Sequence, residues 1–211
     1  MNREIKIGVV GLGYVGLPVS VIFAKKYKVV GYDTNYTRIN SLQNYVDTTL
    51  EIPTSDLKKS LKGNLEITNN INELISCNIY IITVPTPILI DKTPDLEPLK
   101  KATKSVGAII NERDIIVYES TVFPGCTEEV CVPILEKESG LKFNKEFFCG
   151  YSPERINPGD KEHTIDKIIK VTSGSNKETA ILVDDLYNSV ISAGTHLAES
   201  IRVAEAAKVI E

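Results

Sequence analysis

The chain has 211 residues, 42% of them apolar and 25% charged, with a net charge of −4. That is an ordinary globular balance, long enough for one large domain or for one domain plus the start of another, and with no basic footprint for nucleic acid. Met1-Asn2-Arg3-Glu4 runs straight into an apolar strand with no room for a signal peptide, and the most apolar window, Ile79 to Ile90, is broken by Pro85 and Pro87 and too short for a membrane span. A cytoplasmic protein with no membrane contact is expected. Cys77, Cys126, Cys131 and Cys149 form no CxxC pair, so they read as reduced thiols, with neither a disulfide framework nor a metal site.

Short β-branched runs alternate with helical stretches along the chain. The expected strands are Ile5–Val10, Val29–Tyr32, Ile79–Val84, Ile115–Tyr118, Phe147–Tyr151 and Ile168–Thr172. This pattern predicts an α/β fold, a Rossmann-like, doubly wound and mostly parallel sheet with helices on both faces. Residues 44–76 are more polar and read as a surface excursion with a short helix at Ser55–Leu61. No internal repeat stands out. From about Gly194 the spacing of Leu197, Ile201, Ala204 and Lys208 places all four on one face of a long helix, giving a domain over 1–193 and the beginning of a central helix over 194–211. No Gly, Asn or Pro caps that helix before Glu211, so the chain is expected to be the N-terminal part of a longer protein.

The first strand ends in Gly11-Leu12-Gly13-Tyr14-Val15-Gly16, and Asp33 stands at the end of the second. Strand, glycine turn, helix, second strand and terminal acid in this register form a dinucleotide site. Gly11 makes the tight turn, Gly13 lets backbone approach a pyrophosphate at the helix N-terminus, and Gly16 lets helix and strand pack closely. Asp33 suits the two hydroxyls of an adenosine ribose and repels a 2′-phosphate, which favours NAD over NADP; FAD uses the same fingerprint, and a purely structural turn is the alternative.

Three further loops follow strands, at the sheet edge where open α/β folds bind ligands. In Val84-Pro85-Thr86-Pro87, Thr86 is placed to meet the cofactor, the alternative being a proline-stiffened connection. Glu119-Ser120-Thr121 offers hydroxyls that either line the site or cap the helix-like 126–138. Cys126 beside it is either a nucleophile or, with no histidine nearby in sequence, a small buried thiol. Tyr151-Ser152-Pro153-Glu154-Arg155-Ile156-Asn157-Pro158-Gly159-Asp160 crowds an acid, a guanidinium and an amide into one rigid loop. Arg155 suits a phosphate or sugar clamp and Glu154 suits positioning of water, against the alternative of a salt-bridged turn. His163 reads as a solvated loop residue. Lys208 shares an apolar stripe, where it either serves proton transfer and oxyanion stabilisation or merely snorkels.

GLGYVGLP at 11–18, VPTP at 84–87, ESTVFPGCTEE at 119–129, YSPERINPGD at 151–160 and AESIRVAEAAKVIE at 198–211 together resemble the nucleotide-sugar 6-dehydrogenase family, in its order and spacing. The SPERINPGDKEH form is most similar to the branch acting on UDP-N-acetylhexosamines. The resemblance implies oxidation of the sugar C6 alcohol to a carboxylate with two NAD, through a thiohemiacetal and a thioester on a cysteine, in the service of surface polysaccharide. It implies that Tyr14, Val15, Asp33, Arg38, Thr86 and Thr121 contact NAD, with Val84 and Ser120 beside them, and that Glu154, Arg155 and Ile156 meet substrate or the hydrolytic water. Lys208 would exchange the proton and stabilise the oxyanion, with Glu154 and Thr121 also in the catalytic set.

One departure limits what this chain can do. The family's nucleophilic cysteine lies in a downstream GGxC loop, and none of the four cysteines here matches it. The UDP-binding domain and most of the central helix that forms a homodimer are likewise not in this sequence, so the chain alone is expected to bind NAD without completing the reaction. A β-hydroxyacid-type dehydrogenase related to 6-phosphogluconate enzymes, which also has a lysine on its central helix, is the alternative that YSPERINPGD argues against. A stand-alone NAD-binding module is another.

Overall fold

Alternation along the central strands shows how the layers are built. In β4 (Ile79–Ile82) and β5 (Ile115–Tyr118), Ile79, Ile81, Ile115 and Val117 enter one apolar cluster, while Tyr80, Ile82, Ile116 and Tyr118 enter another on the opposite face. A sheet with both faces buried needs helices on both sides, and near-continuous apolar strands are its signature. The computed structural model, which describes residues 4–155 and 165–210, has that arrangement.

Six parallel strands run in the order β3-β2-β1-β4-β5-β6, where β1 is Lys6–Val10, β2 Lys28–Tyr32, β3 Leu65–Thr68 and β6 Phe148–Tyr151. The order reverses direction between β1 and β4, the switch point at which such sheets open a crevice. The helix α1 (Gly16–Ala24) is buried at all nine positions: its sequence is apolar but for Ser20, whose hydroxyl donates to Gly16 O. It shares the first cluster with α2 (Tyr36–Gln43), α3 (Thr54–Leu61) and α6 (Lys177–Asn188). The other face carries α4 (Glu97–Gly107), α5 (Val132–Ser139) and α7 (Ile201–Ile210).

Four sequence expectations need correction. The polar stretch 44–76 is not only an excursion: Leu65–Thr68 is the edge strand of the main sheet, in register with β2. Its short Leu-Glu-Ile-Thr alternation carries little signal. The strand expected at Ile168–Thr172 shortens to β7 (Lys170–Thr172) and leaves the main sheet, pairing instead with β8 (Thr195–Leu197). Consequently Leu197 is on a strand, 41% exposed, and not on the helix stripe. α7 starts only at Ile201 because the Ser200 hydroxyl accepts the Val203 N–H and caps it there. The segment expected as one helix from 126 begins as a π-helical turn, Thr127–Cys131, before α5, where Pro133 withholds a backbone donor.

Candidate active site

The glycine loop is shaped by three different constraints. Gly11 has φ +98°, a left-handed conformation that disfavours any side chain, and its N–H donates to Tyr32 O at 2.8 Å, tying the turn to β2. At Gly16 a Cβ would lie 1.7 Å from Gly11 O and 2.4 Å from Thr83 Oγ1, so packing alone demands glycine. At Gly13 a Cβ would meet nothing among the described residues within 4 Å, and its φ is outside the left-handed region. Neither fold nor backbone strain accounts for glycine there. A ligand approaching the backbone does, and α1 begins beside it with no side-chain cap on its N-terminus. Tyr14 is exposed and Val15 half-buried at the same mouth.

Asp33 directly follows β2, beside the glycine loop. One carboxylate oxygen accepts the Leu12 N–H and the other the Asn35 N–H, both at 2.8 Å. Its own N–H donates to Thr68 O of β3, so the edge strand buttresses it. The residues fit an NAD: a pyrophosphate cradle at Gly13 and a fixed acid at the end of β2. Arg38 is buried. It donates from Nε to Leu12 O at 2.8 Å and from Nη1 and Nη2 to Asp47, Thr48 and Thr49, so it clamps the 47–52 turn onto the glycine loop. Burial opposes charge on Asp47, yet hydrogen bonds from Thr49, Ile52 and Arg38 hold its carboxyl below the usual range.

The loops after β4 and β5 are laced together. Ser120 Oγ donates to Val84 O at 2.6 Å and Thr86 Oγ1 to Thr121 O at 2.7 Å. Thr83 Oγ1, within 2.7 Å of Gly11 O, joins this pair of loops to the glycine turn. Val84, Thr86, Ser120 and Thr121 therefore stand together along the carboxyl edge, beside the switch point. Neither Ser120 nor Thr121 caps the following helix. Glu205 of α7 does that, accepting the N–H groups of Gly125 and Thr127 at 2.5 and 2.9 Å. Burial pushes the Glu205 carboxyl up. Cys126 is fully buried, and its hydrogen bond with Cys131 together with burial raises its thiol far above the ordinary value, which makes it inert as a nucleophile.

Beyond β6 lies a cluster that the sequence reading missed. Lys170 Nζ donates to Glu119 Oε2 at 2.7 Å and to Glu154 Oε2 at 2.6 Å, with side-chain exposures of 4%, 0% and 9% for the three. Tyr187 of α6 donates to Glu119 Oε1. Burial raises the Glu119 carboxyl against the pull of Lys170. The lysine ammonium, which burial alone would weaken, is held above its usual value by the two carboxylates. Glu154 thus has a partner from another strand, while Arg155 is exposed and its N–H donates to Glu154 Oε1. Ile156 and His163 lie outside the described residues. Lys208 is half-buried near the end of α7, the helix that Glu205 fastens to the 125–127 turn.

Residues 5–191 match the model of the UDP-glucose/GDP-mannose dehydrogenase family, NAD binding domain. The chain belongs to this family. Its cofactor is NAD, in keeping with the cradle at Gly13 and the acid at Asp33. The chain is 58% identical over 99% of its length to the UDP-N-acetyl-D-glucosamine 6-dehydrogenase of Pseudomonas aeruginosa, covering 49% of that protein. It is 57% identical over 99% of its length to the enzyme of the same name from Salmonella typhi, covering 48%. Among solved structures, the UDP-D-ManNAc dehydrogenase of Pyrococcus horikoshii superposes with a TM-score of 0.88 at 31% identity, over 98% of this chain and 49% of that one. The chain spans about half the length of the curated relatives it matches. No described helix of this family member is long and apolar enough to cross a membrane.

Proposed function

We propose that this chain supplies the NAD-binding half of a UDP-N-acetylhexosamine 6-dehydrogenase, a cytoplasmic enzyme that makes uronic-acid sugars for surface polysaccharide. The observation that carries the reading is Gly13, a glycine that neither a positive φ nor the packing of the described residues requires, set in a chain so similar to two UDP-N-acetyl-D-glucosamine 6-dehydrogenases. The overall change is oxidation of the C6 alcohol to a carboxylate: one water is consumed, two hydrides go to two NAD, and three protons are released. NAD supplies the hydride acceptor.

In this reading Gly11, Gly13, Tyr14, Val15 and Gly16 hold the pyrophosphate and Asp33 holds the adenosine ribose. Arg38 contacts NAD, with its guanidinium held in place by Leu12 O and the 47–49 turn. Val84, Thr86, Ser120 and Thr121 line the nicotinamide side, since they occupy the carboxyl edge beside the switch point. Glu154, Arg155 and Ile156 meet substrate or water. Lys208 exchanges the C6 proton and stabilises the oxyanion, a role suited to a half-buried cation. The thiol nucleophile comes from the remainder of a full-length protein, because Cys77, Cys126, Cys131 and Cys149 are all buried. That remainder also carries the UDP site and most of the homodimer contact.

Full-length protein incubated with NAD and, separately, UDP-N-acetylglucosamine, UDP-N-acetylgalactosamine and UDP-N-acetylmannosamine tests this. Two NADH per molecule of one of these sugars is the expected yield, with none from the 211-residue chain alone. No NADH from any of the three contradicts the reading.

A further inference from the structure

The cluster around Lys170 joins neighbouring strands at the carboxyl edge of the sheet. Glu119 follows β5 directly, Glu154 stands three residues beyond β6, and Lys170 opens β7. β7 is docked on this exit by Ser152, whose Oγ donates to Val171 O at 2.7 Å, and by Ser173, whose Oγ donates to Tyr151 O at 2.7 Å. The ammonium also stands 5.7 Å from the centre of the Tyr187 ring. Among the three charged groups, depth increases from Glu154 through Lys170 to Glu119, so Glu154 is the member nearest the surface.

Such a cluster is a poor source of stability. Charges this deep lose hydration that their attraction barely repays, and apolar side chains of the same volume usually serve as well or better. What the arrangement does supply is geometry. Lys170 is held from below by Glu119, itself fixed by the Tyr187 hydroxyl, and so presents one Nζ–H to Glu154 Oε2 from a fixed point. The Arg155 N–H fixes Oε1. Both oxygens of Glu154 are thereby located, on a loop that without these bonds has several rotamers open to it.

We propose that Lys170 is a positioning residue for the dehydrogenase reaction: backed by Glu119 and Tyr187, it holds the Glu154 carboxylate in place where substrate or the hydrolytic water meets it. The inference rests on the role given to Glu154 above. Lys170 touches neither the glycine loop nor Asp33 in the described contacts, so its effect is confined to the sugar end of the site.

The test uses full-length enzyme and steady-state kinetics on Glu154→Gln, Lys170→Met, the double variant and Glu119→Gln. Lys170→Met should lower kcat about 100-fold, the scale on which an ångström of misplacement acts. NAD affinity by titration should stay within about twofold of the parent, because the NAD cradle lies on other strands. The double variant should be no slower than the slower single one, since a group acting through Glu154 has nothing left to position. A loss in the double variant equal to the product of the single losses, or an unchanged kcat in Lys170→Met, overturns the proposal. If Glu154→Gln leaves kcat unchanged, the role of Glu154 fails and the proposal with it. A Lys170→Met protein that no longer binds NAD has lost its fold. Glu119→Gln then decides: a fall in kcat of about tenfold that disappears in the Glu154→Gln background supports the proposal, and a fall that persists there overturns it.

Discussion

Alanine at Gly13 and alanine at Gly16 should fail in opposite ways. At Gly16 the added Cβ lies 1.7 Å from Gly11 O, a backbone atom, and 2.4 Å from Thr83 Oγ1. The helix must retreat from the turn by more than an ångström, and α1 is buried at every position, so the shift propagates into the core. A loss of about 3 kcal/mol in unfolding free energy is expected, the upper end of what overpacking costs. At Gly13 the same methyl meets no atom of the described residues within 4 Å. Stability should stay within about 0.5 kcal/mol of the parent, as for surface changes away from special features. The methyl instead occupies the pyrophosphate approach and removes about two charge-assisted hydrogen bonds of about 1.5 kcal/mol each, which is roughly 100-fold in NAD affinity. Urea denaturation and calorimetric titration of the two variants separate these effects. A Gly13→Ala protein that binds NAD like the parent, or a Gly16→Ala protein of parental stability, would refute the reasoning.

Other substitutions probe the supports of the site. Arg38→Ala strands the buried Asp47 carboxylate and frees the 47–52 turn, so urea denaturation should show a loss of about 3–5 kcal/mol. Glu205→Ala leaves the Gly125 and Thr127 N–H groups without their acceptor and should cost about 2–3 kcal/mol by the same assay. Asp47 should make the fold acid-sensitive. Its folded carboxyl lies below the ordinary value of 3.8, so its contribution is complete above that value and is lost as pH falls through the lower folded one. Denaturation at stepped pH should therefore show a shallower acid decline in Asp47→Asn than in the parent.

The sequence was most readable where chemistry and chain order coincide. The glycine loop, Asp33 and the strand before each site loop are local in sequence, and periodicity with glycine spacing marks them. Contacts between distant residues left no such mark. Lys170 follows two isoleucines in what reads as an ordinary strand, and nothing near it in sequence announces Glu119 or Glu154, 51 and 16 residues away. Glu205 carried a signal, since it stands four residues after the buried Ile201 and so on the same helix face, where a carboxylate needs donors. Ser200 likewise marked the helix start that removes Leu197 from the stripe. β3 was obscured because an edge strand of four residues with one exposed glutamate resembles a loop. Arg38 entered only through the family resemblance, as an NAD contact, and its partners on 47–49 appear once the turn is folded back on the glycine loop.

Titration of the chain with NAD and with NADP, each repeated on Asp33→Ala, tests the central claim most directly. NAD should bind the parent at least about tenfold more tightly than NADP, and the substitution should weaken NAD while narrowing that gap. Equal affinity for the two nucleotides in the parent, or no binding of either by a chain that denatures cooperatively, would contradict it.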